Sequence, residues 1–97
     1  MNFKIIILEE AKSDVLESIT WYKNINPILS KRFANSFNNS VKQIKENPFR
    51  YQIRYDEVRV VLLRTFPYLI HFSIDNETIV IKAVFHTSRD SKINKLF

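Results

Sequence analysis

The sequence predicts an α+β fold in which a helical hairpin packs on a mainly antiparallel four-stranded sheet. Two stretches in the first half repeat apolar residues every three or four positions, as amphipathic helices do. The second half contains short β-rich runs separated by turn residues, which is typical of hairpins. A chain of 97 residues suits one hydrophobic core, so we expect a single domain over residues 1–97 with the element order β-α-α-β-β-β.

The first half of the chain predicts one strand and two helices. Residues 2–8 are mostly apolar and predict a short strand that is buried on both faces. Glu9-Glu10 supplies the negative charge that favours a helix start, Pro27 begins a second helix, and Asn47-Pro48 ends it. The expected buried stripes are Ala11, Val15, Ile19 and Tyr22 in the first helix, and Leu29, Phe33, Phe37, Val41 (or Ser40) and Ile44 in the second.

The second half predicts three strands, at residues 58–64, 68–74 and 78–86, after an aromatic and basic connector at 49–57. Residues 75–77 have the composition of a tight hairpin turn. Because side chains alternate along a strand, one face of the middle strand is expected under the helices and the other toward solvent or a partner. The first face holds Tyr68, Ile70, Phe72 and Ile74, and the second holds Leu69, His71 and Ser73. In the last strand we expect Ile79, Ile81, Ala83 and Phe85 on one side and Val80, Lys82, Val84 and His86 on the other, wetter side.

The composition excludes several classes of site. The chain has no glycine, so no loop can bring its backbone N–H groups close to a phosphate in the usual way. It has no cysteine, which excludes disulfides and thiolate zinc sites, and two histidines with scattered carboxylates give little support for a metal. We therefore expect neither a cofactor nor a metal ion.

Apolar runs of four residues are too short to cross a bilayer, and the first residues lack the features of a signal peptide. These features predict a cytoplasmic protein without membrane contact. The net charge of +5 favours an acidic partner, either nucleic acid or protein.

Several polar and aromatic residues have an ordinary structural interpretation. We expect Trp21 to pack between the helical hairpin and its surroundings, with a role as a binding anchor as the alternative. Asp14 and Glu17 are expected on a solvated helix face near Lys12. His71 lies on the mixed face of a strand and is expected to be structural.

Four short motifs occur in order along the chain. Ala11 and Asp14 followed by Trp21-Tyr22 come first, and Asn47-Pro48 follows. Residues 64–72 have the form R-x-F-P-Y-x-I-x-[YF], and residues 84–89 have the form V-x-H-x-x-R. Together these motifs resemble the ParE/RelE superfamily of bacterial type II toxins over about residues 3–92. The resemblance implies a growth-inhibiting toxin, of the kind associated with plasmid stabilisation, and a cognate antitoxin bound as a heterodimer or heterotetramer.

One branch of that superfamily, similar to RelE, consists of ribosome-dependent mRNA endonucleases that need no metal. Their reaction requires a proton-transfer group and cations that stabilise the phosphorane. For this chain the resemblance implies His86 as acid and base, with Arg89, Lys82 and Arg64 holding the phosphate. Most of the cationic residues and the C-terminal tyrosine of that branch are missing, because positions 60–63 and 69 are apolar and no tyrosine follows Tyr68.

The ParE branch resembles the chain more closely, through the R-x-F-P-Y segment and the H-x-x-R ending. Its members are associated with inhibition of DNA gyrase and have no hydrolytic centre. The resemblance therefore implies a binding surface, for which the candidates are Arg50, Arg54 and Arg59 in the connector and Arg89, Lys92 and Lys95 in the tail. A degenerate member that has lost toxicity and acts only as a binding module is a third alternative.

Overall fold

A computed structural model of the chain describes residues 2–88, and these residues form two helices and five strands. A one-turn 3₁₀ helix at Pro48–Arg50 follows the second helix. In chain order the elements are β1 (Lys4–Ile7), α1 (Glu9–Ile25), α2 (Pro27–Glu46), β2 (Ile53–Tyr55), β3 (Val58–Leu62), β4 (Tyr68–Asp75) and β5 (Thr78–His86).

The sheet has the strand order β1-β5-β4-β3-β2. Only β1 runs parallel to its neighbour β5, and the other three pairs are antiparallel. The predicted α+β class with a mainly antiparallel sheet is confirmed. The sheet has five strands where the sequence predicted four, because the connector contributes the short strand β2.

Strand β2 was missed because its hairpin turn contains no glycine. Tyr55 pairs with Val58, so the loop has two residues, and both Asp56 (φ 42°) and Glu57 (φ 62°) adopt the left-handed conformation. Two-residue hairpins commonly require positive φ at both positions, for which glycine and asparagine are the usual signals. A glutamate there carries a conformational cost of about 1–2 kcal/mol, which the sequence pattern does not predict.

The two helices form where the apolar stripes predicted them. Asn26 connects them: its backbone N–H donates to the Tyr22 carbonyl at the end of α1, and its side-chain oxygen accepts from the Ile28 N–H (2.9 Å) at the start of α2. Such a cap satisfies one of the free N–H groups of the first turn. Pro27 then occupies the first helical position, where its missing N–H is not needed.

The main core lies between the helical hairpin and one face of the sheet. The residues predicted to face the helices do so, with Ile70 and Phe72 fully buried. An aromatic cluster forms its centre: the Phe33 ring lies 4.9 Å from that of Tyr68 and 5.4 Å from that of Phe66. The α1 stripe contributes Ala11, Val15, Ile19 and Tyr22, and α2 contributes Phe33, Phe37, Val41 and Ile44, with Ser40 also buried.

The expectation that the first strand is buried on both faces is wrong. Phe3, Ile5 and Ile7 pack into the main core, but Ile6 is 51% exposed. The strand lies at the sheet edge and its second face has no covering layer among residues 2–88, so a run of apolar residues there does not indicate burial on both sides.

Strand β5 contains a bulge that changes which side chains face the helices. His71 pairs with Ala83 and Phe72 pairs with Ile81, so Lys82 has no partner on β4. Ile81 and Val84 both pack in the main core, and the two residues between them therefore lie on the opposite face. The predicted faces of β5 are correct up to Lys82 and wrong after it, because an extra residue reverses the alternation.

The face of the sheet away from the helices is more buried than expected. Val58, Val60 and Leu69 form a second small cluster, with Tyr55 packed against it. His71 is 1% exposed, its Nδ1 lies 2.7 Å from the Tyr55 hydroxyl, and its ring lies 5.2 Å from that of Phe85. The expectation that Leu69 and His71 face solvent or a partner is therefore wrong, while a structural role for His71 agrees with these contacts.

Neither helix among residues 2–88 is long and apolar enough to span a membrane. The same residues contain no group of three or more histidine, aspartate or glutamate side chains arranged to hold a metal ion.

Candidate functional site

A cleft of about 540 Å³ lies between α1 and the C-terminal end of β5. Helix α1 contributes Asp14, Glu17 and Trp21 to its walls, and the sheet contributes Tyr68, Phe85 and His86. The bulge at Lys82 is responsible for this composition, since without it His86 would lie on the face away from α1.

Asp14 connects the two walls of the cleft. Its Oδ2 accepts a hydrogen bond from the Val84 N–H (3.0 Å). β1 ends at Ile7, which pairs with Ile81, so among the described residues no strand accepts this N–H on the outer side of β5. The Asp14 carboxylate takes the place of a neighbouring strand.

The electrostatic environment of Asp14 is unfavourable for its charge. Partial burial raises the pKa of this carboxyl above its ordinary value, the hydrogen bond from Val84 opposes that effect, and the negative charges of Glu17 and Glu10 add to it. The expectation that Asp14 lies on a solvated face near Lys12 is wrong. Lys12 pairs with Glu9 instead, with 3.3 Å between Nζ and Oε1.

His86 lies across the cleft from Asp14, on the last residue of β5. Its ring is 5.2 Å from that of Tyr68, its partner on β4. The Ser88 N–H donates to Nδ1 (3.1 Å), so Nδ1 acts as an acceptor and the proton of the neutral ring lies on Nε2. Only Nε2 is therefore left to donate to a ligand.

Large apolar side chains surround the cleft. Trp21 is 59% exposed, Leu16 is 64% exposed and Phe85 is 39% exposed. Trp21 therefore does not pack between the hairpin and its surroundings as expected, and its exposure agrees with the alternative of a binding anchor. Exposed large apolar groups beside a concave surface are typical of interaction sites.

Of the other candidate catalytic residues, the two that the structure describes do not meet His86 in this cleft. Arg64 lies in the turn after β3, beside a separate groove on α2, where its carbonyl accepts from the Ser36 hydroxyl (2.8 Å). Lys82 is exposed on the face of the sheet away from the helices. Arg89 lies outside the described residues, as do Lys92 and Lys95 of the expected binding surface.

The connector arginines gather at the other edge of the sheet. Arg50 is exposed, with its guanidinium 3.2 Å from the Tyr51 hydroxyl and 3.3 Å from the Gln43 carbonyl. Arg54 is exposed on β2. Arg59 is half-buried, donates to the Tyr51 carbonyl and lies 5.3 Å from the centre of the Phe49 ring, so part of its charge has a structural use.

Comparison with known proteins gives two positive findings. The sequence matches the family model described as the ParE toxin of the type II toxin–antitoxin system parDE, over residues 5–91. The fold is similar to a solved structure of the chromosomal ParDE toxin–antitoxin system from P. aeruginosa, with a TM-score of 0.77 and 17% sequence identity, over 87% of this chain and 95% of that one. A comparison with curated proteins gives no significant match.

Proposed function

Because the chain belongs to the ParE toxin family of type II toxin–antitoxin systems, we propose that it inhibits growth by binding DNA gyrase and that a cognate antitoxin neutralises it. The protein acts in the cytoplasm as a binder without a hydrolytic centre. Its antitoxin holds it in a heterodimer or heterotetramer.

The observation that carries this proposal is the separation of the candidate catalytic groups. His86 faces α1, whereas Lys82 lies on the opposite face of the sheet. Phosphoryl-transfer catalysis needs the proton donor and the cations around one reacting phosphate. With these two groups on opposite faces, a binding role is the simpler use of the basic residues.

The exposed charges of Arg50 and Arg54 are the proposed contacts with gyrase or its bound DNA. Both lie on the short segment between α2 and β3, and Arg59 of β3 donates a hydrogen bond to the Tyr51 carbonyl of that segment. Guanidinium groups suit phosphates and carboxylates because they donate two parallel hydrogen bonds.

The test uses purified protein, gyrase and supercoiled plasmid. We expect the toxin to increase the linear DNA recovered after the cleaved complex is trapped. The double variant Arg50→Gln/Arg54→Gln should need about tenfold more protein for the same effect, because two charge-assisted contacts are lost. Lys23→Gln/Lys31→Gln is the matched control, since it removes the same charge from exposed helix positions.

One observation favours the alternative of a RelE-like mRNA endonuclease. His86 lines an open cleft and accepts the Ser88 N–H at Nδ1, which leaves Nε2 to exchange a proton with a bound substrate. Cleaved mRNA in induced cells that disappears with His86→Ala, together with undamaged DNA, would replace the gyrase proposal. Normal growth with intact DNA and RNA would favour the degenerate binding module.

A further inference from the structure

The cleft beside α1 differs in charge from the rest of the chain. The net charge is +5, yet this cleft contains the carboxylates of Asp14 and Glu17. Among its described lining residues only His86 could carry a positive charge, and His86 accepts from the Ser88 N–H through Nδ1. No lysine or arginine lines the described cleft to compensate the two carboxylates.

The carboxylates of the cleft repel each other. Glu17 and Glu10 both act to raise the pKa of Asp14, which adds to the effect of burial. A cation bound here would relieve this repulsion and would replace water around partly buried charges. The Trp21 ring, on the same wall and largely exposed, offers a face on which a guanidinium or ammonium group can stack.

Beyond Ile81, the described part of the outer β5 edge has no strand paired to it, and Asp14 caps it at Val84. β5 extends five residues beyond Ile81, the last residue paired with β1. Asp14 takes the Val84 N–H, and since alternate N–H groups of a strand point the same way, the N–H of His86 points to the same edge. Such an edge can pair with an extended segment of another protein.

We propose that this cleft binds an extended segment of a protein partner that carries an arginine or lysine two positions from a bulky apolar residue. The cation lies between Asp14 and Glu17 and over Trp21, and the apolar side chain lies against Leu16, which is 64% exposed on the same helix. The inference rests on the proposed function in one respect, namely that the partner is the antitoxin. Although the toxin is basic overall, this cleft is acidic, and the antitoxin segment that binds in it is cationic.

The probes for the test are two blocked ten-residue peptides that differ at one central position. One has arginine there and the other has glutamate, and both have leucine two positions later. Trp21 is the only tryptophan of the chain, so its fluorescence reports occupancy of the cleft. We expect the arginine peptide to bind about tenfold or more tightly than the glutamate peptide, since ion pairing and stacking act together.

The variant Asp14→Asn/Glu17→Gln should remove this preference, since it keeps the shape of the cleft and an acceptor for the Val84 N–H. Glu46→Gln/Glu77→Gln, which removes the same charge from exposed positions remote from the cleft, should keep it. Equal binding of the two peptides, a preference that survives loss of both carboxylates, or no binding of either peptide at millimolar concentration would overturn the inference. The Asp14→Asn/Glu17→Gln protein should still increase gyrase-dependent DNA cleavage, so failure of the proposed function is read separately in that assay.

Discussion

Deletion of Lys82 tests the bulge on which the cleft depends. His71 pairs with Ala83 and Phe72 pairs with Ile81. Removing Lys82 therefore joins Ile81 to Ala83, whose partners on β4 are already consecutive. Every other side chain of β5 keeps its face in the shortened strand. We expect the free energy of unfolding to change by less than about 1 kcal/mol, because bulges disturb the ladder only locally.

A regular strand would give the opposite result. If β5 alternated without interruption, Ala83 and Phe85 would share the core face with Ile81, and deletion of Lys82 would turn both of them to the opposite face. Removing the Phe85 side chain from the core would cost about 1.5–3 kcal/mol, and loss of the hydrogen bond between Val84 and Asp14 would add about 1 kcal/mol. The loss expected for a regular strand, about 2.5–4 kcal/mol, is a large fraction of the stability of a domain of this size.

Deletion of Val80 is the control, because Val80 lies in the regular part of the same strand. It brings Ile79 next to Ile81, both fully buried, and one of them must turn to solvent at a cost of about 1.5–3 kcal/mol. Urea unfolding followed by circular dichroism measures both variants, with an unchanged m-value showing that the folded state is intact. Equal destabilisation by the two deletions would refute the bulge.

Three further predictions concern single substitutions. The free energy of unfolding of the wild-type protein, relative to that of Asp14→Asn, should rise as pH falls through the raised pKa of Asp14 and level off below the ordinary value of 3.8. The reason is that between these two pKa values the folded carboxyl binds more protons than the unfolded one. Urea midpoints of the two proteins that change in parallel across this pH range would contradict the prediction. Thr65 has φ 70° in the turn before β4, and Thr65→Asn should raise the free energy of unfolding by about 1 kcal/mol because asparagine tolerates that conformation; a lower thermal midpoint would count against the strain. Tyr55→Phe should lower the free energy of unfolding by about 1 kcal/mol through loss of the hydroxyl contact with His71, and an unchanged urea midpoint would show that the contact contributes nothing.

Local patterns in the sequence were sufficient for the helices and for the helix-facing side of β4. The bounds of α2 follow from Asn26-Pro27 and Asn47-Pro48, whose backbone chemistry acts within one turn. The apolar stripe of Phe33, Phe37 and Ile44 needs only a helical repeat and a core to face. These features were predictable because each depends on residues that are close in sequence.

The features that build the cleft depend on residues far apart in sequence. Asp14 and Val84 are separated by 70 positions, so nothing near Asp14 indicates that its carboxylate caps a strand edge. The bulge at Lys82 depends on how β5 pairs with β4, and the sequence of β5 alone does not distinguish a bulged strand from a regular one. Trp21 is exposed on the cleft wall, and the only sequence signal for it was its place in the first of the four family motifs.

The charges around His86 favour a binding role over a nuclease role. A histidine that transfers a proton to or from RNA needs cations nearby, because the phosphorane in the transition state carries extra negative charge. On the described walls of the cleft, the ionisable neighbours of His86 across from β5 are Asp14 and Glu17, whose carboxylates would repel the phosphate. Lys82, which would attract it, lies on the other face of the sheet, since the bulge turns His86 to the face opposite Lys82. The same local field that disfavours a phosphate favours an arginine or lysine side chain, so the position of His86 is easier to reconcile with protein recognition than with RNA cleavage.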